Sequence, residues 1–290
     1  MAAKYFIGTA GWSYKDWVPA FYPKNQNAGF DWLQFYSHYF NCVEVNSTYY
    51  SFVSPKVVDG WINKVSDSDD FQFTIKLHQD FTHKRNYDQQ KIKAVCFNLD
   101  LLARAERLGG VLIQFPYSFQ FNAPSSEYLS VVKDIFQNYK LFIEVRHSSW
   151  NTRQAYNLFK KNDLTFCTID QPQVGSTIEF EPVVTNERAY LRFHGRNADA
   201  WKCSINSFGK KQNYEQQNER YKYLYSPGEL FEIQQQIKSV HEKVKEVYVI
   251  MNNHPGGNAV ANAFELIQLL EERRKVEIPQ TIIKAYSRLE

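Results

Sequence analysis

Short apolar segments alternate along the chain with longer segments whose apolar residues recur at helical spacing. The short segments are rich in β-branched and aromatic residues, and a continuous apolar run of strand length is typical of a strand buried on both faces. Most of the intervening segments are helix-like, for example residues 92–110 and 226–244. The pattern predicts eight strands, at Tyr5–Gly8, Cys42–Asn46, Phe71–Leu77, Val111–Phe115, Leu141–Val145, Leu164–Ile169, Ala189–Phe193 and Val247–Met251.

The order of these elements predicts the fold class. Strands that alternate with helices form a parallel sheet, and eight such units in a chain of 290 residues are typical of a (β/α)8 TIM barrel. We therefore expect an α/β protein with a single TIM-barrel domain over residues 1–290, interrupted by a long loop, residues 197–225, after the seventh strand. The alternative is an open doubly wound sheet. The turn after the first strand reads GTAGWSY, however, and lacks the GxGxxG sequence of that fold.

Glycine, proline and serine mark expected helix boundaries. The pair Gly109-Gly110 is predicted to terminate the helix before the fourth strand. The pair Ser226-Pro227 is predicted to begin the helix before the eighth strand, with serine as the cap and proline in the first turn. Residues 258–275 have the apolar periodicity of a final helix.

Polar and charged residues occur where the predicted strands end. In a TIM barrel the carboxyl ends of all strands face one cavity, and catalytic residues come from those ends. A single buried charge is most simply explained by a structural ion pair, but so many at one end of a barrel indicate a lined cavity. The residues at these ends are Trp12, Glu44, Asn46, Lys76, His78, Glu144, Arg146, Trp150, Asp170, Arg192, His194, Arg196, Asn252, Asn253 and His254.

Composition and charge exclude several classes of protein. With 43% hydrophobic and 22% charged residues the chain resembles an ordinary soluble globular protein, and no apolar run approaches the ~20 residues of a membrane-spanning helix. The four cysteines are scattered without zinc spacing, so we expect reduced thiols, a cytoplasmic location and no membrane association. A formal charge of +3 is too small to indicate a dedicated DNA-binding domain.

Several blocks of the sequence resemble a known family. They include GTAGWSYKDWVPAFYP, FNCVEVNSTYYSF, FTIKLHQDFTH, VLIQFPYSF, FIEVRHSSW, LRFHGR, YKYLYS and NNHPGGNAVANA, and in combination they are similar to the YecE-like family, domain of unknown function 72. The resemblance extends from about residue 5 to residue 270. It implies a TIM-barrel fold and brings no established activity. The polar segment 197–225 is the stretch that departs most from the family.

The charges at the strand ends point to an anionic ligand. The cations Lys76, Arg146, Arg192 and Arg196 outnumber the carboxylates Glu44, Glu144 and Asp170 by one, and paired guanidinium groups suit phosphate or carboxylate. Trp12 and Trp150 are expected to stack on a planar or sugar ring.

The last strand ends in a second candidate anion site. Gly256 and Gly257 open the final helix, and bare amides at such a position bind anions. Asn252 and Asn253 are expected to point polar groups into the same cavity. A plain turn with satisfied amides is the alternative.

These residues suggest an enzyme of hydrolase type. Glu44 and Glu144 are the candidate acid and base, with Asp170 and His194 as further catalytic candidates. Hydrolysis of a glycosidic or phosphoester bond of an anionic sugar or nucleotide-like ligand suits this set, and no cofactor is expected.

Two alternatives remain open from the sequence. The first is a divalent-metal isomerase or phosphodiesterase resembling apurinic endonucleases, although Lys76, Arg146 and Arg192 would repel a dication. Its ligands would be Glu44, His78, Glu144, Asp170, His194 and His254. The second is a non-catalytic binder of an anionic metabolite or of single-stranded nucleic acid. Segment 197–225 mixes basic and aromatic residues, among them Lys202, Phe208, Lys210, Lys211 and Arg220. Nucleic acid is not favoured, because glutamates and glutamines dilute the charge, and a lid is the simpler explanation.

Overall fold

The computed structural model describes residues 3–206, 213–271 and 277–290. Within them the strands form a closed barrel in which each strand pairs in parallel with the next and the last pairs with the first. The (β/α)8 prediction is therefore confirmed. The strands are β1 (Lys4–Ala10), β2 (Cys42–Val45), β3 (Gln72–Lys76), β4 (Leu108–Gln114), β5 (Leu141–Glu144), β6 (Thr165–Asp170), β7 (Arg188–Phe193) and β8 (Glu246–Met251).

The helices surround this barrel, and short 3-10 turns lie at several of its connections. In the part of the chain that the structure describes, the α-helices are α1 (Trp32–Ser37), α2 (Ser47–Tyr50), α3 (Pro55–Lys64), α4 (Gln79–Thr82), α5 (Gln89–Arg104), α6 (Ala123–Phe136), α7 (Arg153–Lys161), α8 (Ala198–Asn206), α9 (Tyr214–Asn218), α10 (Pro227–His241), α11 (Asn258–Leu270) and α12 (Gln280–Ala285).

Two connections differ from a regular unit. Residues 171–187, all of them described, join β6 to β7 without a helix. The described part of segment 197–225 is largely helical, since it contains α8, α9 and a 3-10 turn at Glu219–Tyr221. Phe208, Lys210 and Lys211, which the nucleic-acid alternative invoked, lie outside the described residues.

One predicted helix boundary is confirmed and another is wrong. The Ser226 hydroxyl accepts a hydrogen bond from the Glu229 amide at 3.3 Å, and a capping box begins α10 as expected. Gly109 and Gly110, in contrast, belong to β4 rather than to the end of α5. Gly110 has φ of 149°, and a Cβ there would lie 2.4 Å from a ring carbon of Phe142. Close packing of strand against ring, not helix termination, requires this glycine.

Aromatic rings fill the amino-terminal half of the barrel interior. Phe142 stacks on Tyr190 with ring centroids 4.3 Å apart, and Phe6 stacks on Tyr248 at 4.7 Å. Residues two positions apart on a strand share a face, so Glu144 follows Phe142 and Arg192 follows Tyr190 on the interior side. The apolar layer thus forms the floor beneath a layer of charged side chains.

None of the helices in the described ranges is both long enough and apolar enough to cross a bilayer. All four cysteines are free thiols, and Cys42 and Cys167 are buried.

Candidate functional site

Four charged side chains form a buried network above the aromatic floor. Arg192 donates to Glu44 from Nη2 to Oε1 at 2.6 Å and from Nε to Oε2 at 2.9 Å, and it also donates from Nη1 to Glu144. Arg146 donates from Nε and Nη2 to the other oxygen of Glu144, both at 2.8 Å. Glu44 and Glu144 are 0% exposed and Arg192 is 1% exposed. Two carboxylates and two guanidinium groups therefore neutralise one another inside the barrel.

The surroundings keep this network ionised. The Tyr190 hydroxyl donates to Glu44 at 2.8 Å, and the Thr74 hydroxyl lies 2.9 Å from the same tyrosine oxygen. Burial alone would raise the pKa of the Glu144 carboxyl, but Arg192 and Arg146 outweigh burial and hold that pKa far below its ordinary value of 4.5. Glu144 is therefore an anion at any physiological pH.

His194 is a neutral imidazole beside this network. Burial, followed by the Arg192 charge, lowers the pKa of its ring well below 6.5. The Asn252 side-chain amide lies 2.7 Å from Nδ1. Nε2 is 3.4 Å from Arg192 Nη1 and 3.9 Å from Glu144. Both ring nitrogens therefore face protein groups.

Lys76 lies at this site without an ion pair to a carboxylate among the described residues. It is the last residue of β3, and its Nζ lies 4.4 Å from the ring centroid of Tyr49. The ion pairs nearby join Glu44 and Glu144 to arginines, and among the described residues no ion pair includes Lys76. Burial and then the Arg192 charge lower the pKa of Lys76 to about 7, against a smaller opposing effect of the two carboxylates.

Two groups near Lys76, His83 and Tyr49, have shifted pKa values. Burial and then the charge of Lys76 lower the pKa of His83 to about 4, so this imidazole is neutral. Burial raises the pKa of Tyr49 to about 12, so its hydroxyl keeps its proton. The rings of Tyr49 and His83 lie 5.3 Å apart, edge to face.

A cavity of about 530 Å³ opens above the network at the carboxyl ends of the strands. Its floor includes Lys76, Arg146, Arg192 and His194, while the amides and imidazole of Asn46, Asn252 and His254 lie in its wall. Neither Glu44 nor Glu144 lines the cavity; both lie beneath it. The aromatic residues of the wall are Tyr14, Tyr49, Tyr50, Tyr117, Trp201 and Tyr221.

The two tryptophans expected to stack on a ligand lie elsewhere. Trp150 is fully buried, donates its ring N–H to the Phe119 carbonyl at 2.6 Å and stacks on the Phe119 ring. Trp12 packs edge to face against Trp61 and does not line the cavity. The 3-10 turn at Ser148–Trp150 directs Trp150 into the core, so the expectation of a stacking role is corrected for both residues.

Asp170 and Arg196 form a separate cluster. Arg196 donates to both Asp170 oxygens at 3.0 to 3.1 Å and to Glu229 at 3.1 Å, and the Tyr225 hydroxyl also donates to Asp170. Neither Asp170 nor Arg196 lines the cavity. Their contacts instead fasten the beginning of α10 to the ends of β6 and β7.

The turn after β8 is already occupied by protein groups. The Gly256 amide donates to the Asp16 carboxylate at 2.8 Å, and the Gly257 amide donates to the His254 carbonyl at 3.2 Å. Gly256 and Asp16 line a second cleft of about 610 Å³ beside the cavity. An internal carboxylate thus takes the place expected for an anionic ligand.

Asn253 differs from its neighbour Asn252. Its amide donates to the Tyr223 carbonyl at 2.8 Å and to the Asn262 side chain at 2.9 Å. It therefore holds α11 and the segment before α10 together, and it does not line the cavity.

The six expected metal ligands are not gathered at one point. Arg192 separates Glu44 from Glu144, and His78 accepts from the Asp80 amide. His254 stacks on Tyr14 with centroids 4.4 Å apart, and Asp170 belongs to the Arg196 cluster. Across residues 3–206, 213–271 and 277–290, no group of three or more His, Cys, Asp or Glu side chains could hold a metal ion.

Some cavity residues were missed from the sequence. Gln171 is 4% exposed, follows β6 directly and lines the cavity, and neither polar atom of its amide has a hydrogen-bond partner among the described residues. Tyr49 and His83, which follow the ends of β2 and β3 in the sequence, lie in α2 and at the end of α4, and both line the cavity. The sequence Gln-Pro-Gln directly after β6 could have indicated Gln171, since a glutamine next to the end of a strand is a candidate for the cavity wall.

Comparison with known proteins gives the family. The model of the family described as "Protein of unknown function DUF72" matches residues 6–284. The chain is 28% identical to the UPF0759 protein YunF of Bacillus subtilis over 92% of this chain and 94% of that protein. A DUF72 family protein from Thermotoga maritima, known from its crystal structure, shares 31% sequence identity with this chain. The two structures superpose with a TM-score of 0.79 over 92% of this chain and 99% of that chain. A DUF72 family protein from Enterococcus faecalis, at 24% identity, shares the fold with a TM-score of 0.79 over 96% of this chain and 99% of that chain. The chain belongs to the DUF72 family, whose TIM-barrel fold it shares.

Proposed function

We propose that the cavity is the active site of an enzyme that acts on an anionic small molecule. The observation that carries this proposal is Lys76, whose side chain lines the cavity without a carboxylate partner among the described residues. Glu44 and Glu144 already form ion pairs with Arg192 and Arg146. The negative charge that would balance Lys76 is therefore supplied by the phosphate or carboxylate group of a bound ligand. Arg146 faces the same space and adds further N–H donors.

The proton-transfer role fits Lys76 better than the buried carboxylates. Protonating Glu44 or Glu144 would remove one of the two negative charges that balance the buried Arg192 guanidinium, and an uncompensated buried charge costs several kcal/mol of free energy. An amine with a pKa of about 7 is present in both protonation states at neutral pH, as a general acid or base requires. The proposed acid–base chemistry is therefore centred on Lys76, with the carboxylates holding the arginines in place.

The size and wall of the cavity suit a ring-bearing ligand. A volume of about 530 Å³ lies within the ~300–1,000 Å³ of small-molecule sites. Tyr49, Tyr117, Trp201 and Tyr221 offer flat faces on which a sugar or a heteroaromatic ring can stack. The proposed substrate class is an anionic sugar or nucleotide-like molecule.

Thermal denaturation with a panel of matched ligands tests the proposal. Each phosphate or carboxylate compound is paired with its neutral alcohol or amide, because a ligand that binds only the native state raises the melting temperature. We expect stabilisation by anionic members for the wild type and for the control variant Lys133→Met, whose lysine lies on α6 beside Asp134. We expect that stabilisation to be lost in Lys76→Met. Equal stabilisation by the neutral partners, no response to any anion, or an unchanged response of Lys76→Met would contradict the proposal.

A further inference from the structure

We propose that Lys76 is a nucleophile that forms an imine with a carbonyl group of the anionic substrate. This inference rests on the proposed function, since it assigns a covalent role to the same cavity. Its basis is the position of the side chain: Lys76 ends β3 at the cavity, lies over the Tyr49 ring and has no acidic partner among the described residues.

Other lysines of the chain show what distinguishes this position. Lys91 donates to Asp80 at 2.8 Å, and Lys140 donates to Glu246 at 2.7 Å. An ion pair keeps such an ammonium protonated and therefore without a lone pair. Lys76 instead faces Arg192 and Arg146, and its amine reaches the neutral, nucleophilic form near pH 7.

The chemistry balances without an oxidant or a reductant. The neutral Nζ forms a bond to the carbonyl carbon, the π electron pair of the C=O bond moves to oxygen, and one proton passes from nitrogen to that oxygen, which gives a neutral carbinolamine. The hydroxyl group then takes up a second proton and leaves as water while the nitrogen lone pair forms the C=N bond, which gives a protonated imine. Tyr49, which keeps its phenolic proton, and neutral His83 lie next to the amine and can donate and accept the protons of these steps.

The chemistry defines a substrate class. The substrate carries an aldehyde or ketone together with a carboxylate or a phosphate, so that the anion lies at Arg146 while the carbonyl carbon meets Nζ. A 2-oxo acid and a triose phosphate both satisfy this description. Once formed, the iminium withdraws electrons from the neighbouring C–H or C–C bond, which is the bond such an enzyme would break or form.

Reductive trapping on the full-length protein tests the inference. The protein is incubated with cyanoborohydride and either pyruvate or dihydroxyacetone phosphate, and the labelled lysine is located by peptide mass mapping. At pH 7 an amine with a pKa of about 7 has a neutral fraction roughly 1,000 times that of an ordinary lysine, so labelling should concentrate on Lys76. The better probe indicates whether carboxylate or phosphate is the anion. The neutral ketone acetone should label Lys76 less than pyruvate or dihydroxyacetone phosphate does at the same concentration, because it has no group for the anion site.

Two variants separate charge from nucleophilicity. Lys76→Arg keeps a cation but has no primary amine, so it should still be stabilised by an anion and should form no adduct at this position. Lys133→Met should label at Lys76 like the wild type. Labelling of wild-type Lys76 no stronger than that of Lys133 overturns the inference, and this readout needs no variant to fold.

Matched ligands without a carbonyl distinguish this failure from failure of the proposed function. Lactate and glycerol 3-phosphate resemble the two probes but form no imine. If either raises the melting temperature of the wild type while neither probe labels Lys76, the imine is refuted and the anion site stands. If neither probe labels Lys76 and no anion of the matched panel, these two included, stabilises the protein, both proposals fall.

Discussion

Replacing Arg192 with methionine should destabilise the protein strongly. The guanidinium group lies between two fully buried carboxylates and donates to both. After the substitution Glu44 keeps the Tyr190 hydroxyl as its partner, and Glu144 keeps Arg146. A buried carboxylate with no counter-ion must either stay charged in a poorly solvating interior or take up a proton, and both cost free energy of folding.

The burial of these groups sets the expected magnitude. Removing one partner of a buried ion pair costs about 3–5 kcal/mol, and Glu44, Glu144 and Arg192 are all at most 1% exposed. The Lys133–Asp134 pair is the opposite case, with side-chain exposures of 25% and 67%, and exposed pairs contribute about 0–1 kcal/mol. For a domain of this size the Arg192→Met loss corresponds to a fall of roughly 6–20 °C in melting temperature.

Urea unfolding followed by tryptophan fluorescence and by circular dichroism measures this loss. Lys133→Met serves as the control for removal of a solvent-exposed charge. A double variant that adds Glu44→Gln to Arg192→Met should recover much of the stability, because Glu144 keeps Arg146 as its partner and no uncompensated carboxylate is then buried. A loss of less than about 1 kcal/mol for Arg192→Met, or a double variant less stable than the single one, would refute the argument from buried charge.

Three further outcomes are expected. The folded pKa of Glu144 is depressed below 4.5, so its contribution to stability is present above pH 4.5 and lost as the pH falls; acid should destabilise Glu144→Gln less steeply than the wild type in pH-dependent unfolding. Trp150→Ala should lose about 3–5 kcal/mol in the same assay while ligand-induced stabilisation is unchanged. An anion beside Lys76 should raise its pKa from about 7, so calorimetry in buffers of different ionisation enthalpy should detect uptake of roughly half a proton at pH 7.

The barrel could be predicted because its signal is local and repeated. The burial of each strand can be predicted from the apolar residues of that strand alone. Eight such strands separated by helical segments are compatible with few arrangements other than a closed parallel barrel. The predicted strands differ from the observed ones mainly at their ends, as between Val111–Phe115 and Leu108–Gln114. There the Gly109-Gly110 pair suggested a helix end, whereas contact with Phe142 from the next strand explains Gly110.

The partners of the polar residues could not be predicted, because they come from distant parts of the chain. Glu44 and Arg192 are 148 positions apart, and Asp16 reaches the Gly256 amide across 240 positions. Alternation along a strand gives the face on which a side chain lies, but it does not give the side chain that the barrel places opposite. The sequence therefore predicted an excess of cations at the strand ends and could not identify Lys76 as the one without a carboxylate.

The buried network has a consequence for Lys76 that stability alone does not explain. Apolar residues in place of a buried ionic cluster often leave a protein equally stable or more so, so the stability of the barrel alone does not account for the cluster. Without Arg192 and Arg146, the carboxylates of Glu44 and Glu144 would raise the pKa of Lys76 and keep it an ammonium. With the arginines in place, Arg192 is the strongest charge acting on Lys76, and together with burial it lowers the pKa to about 7. In the proposed reaction the arginines thus keep the two carboxylates from serving as counter-ions of Lys76, and its amine remains available in the neutral form.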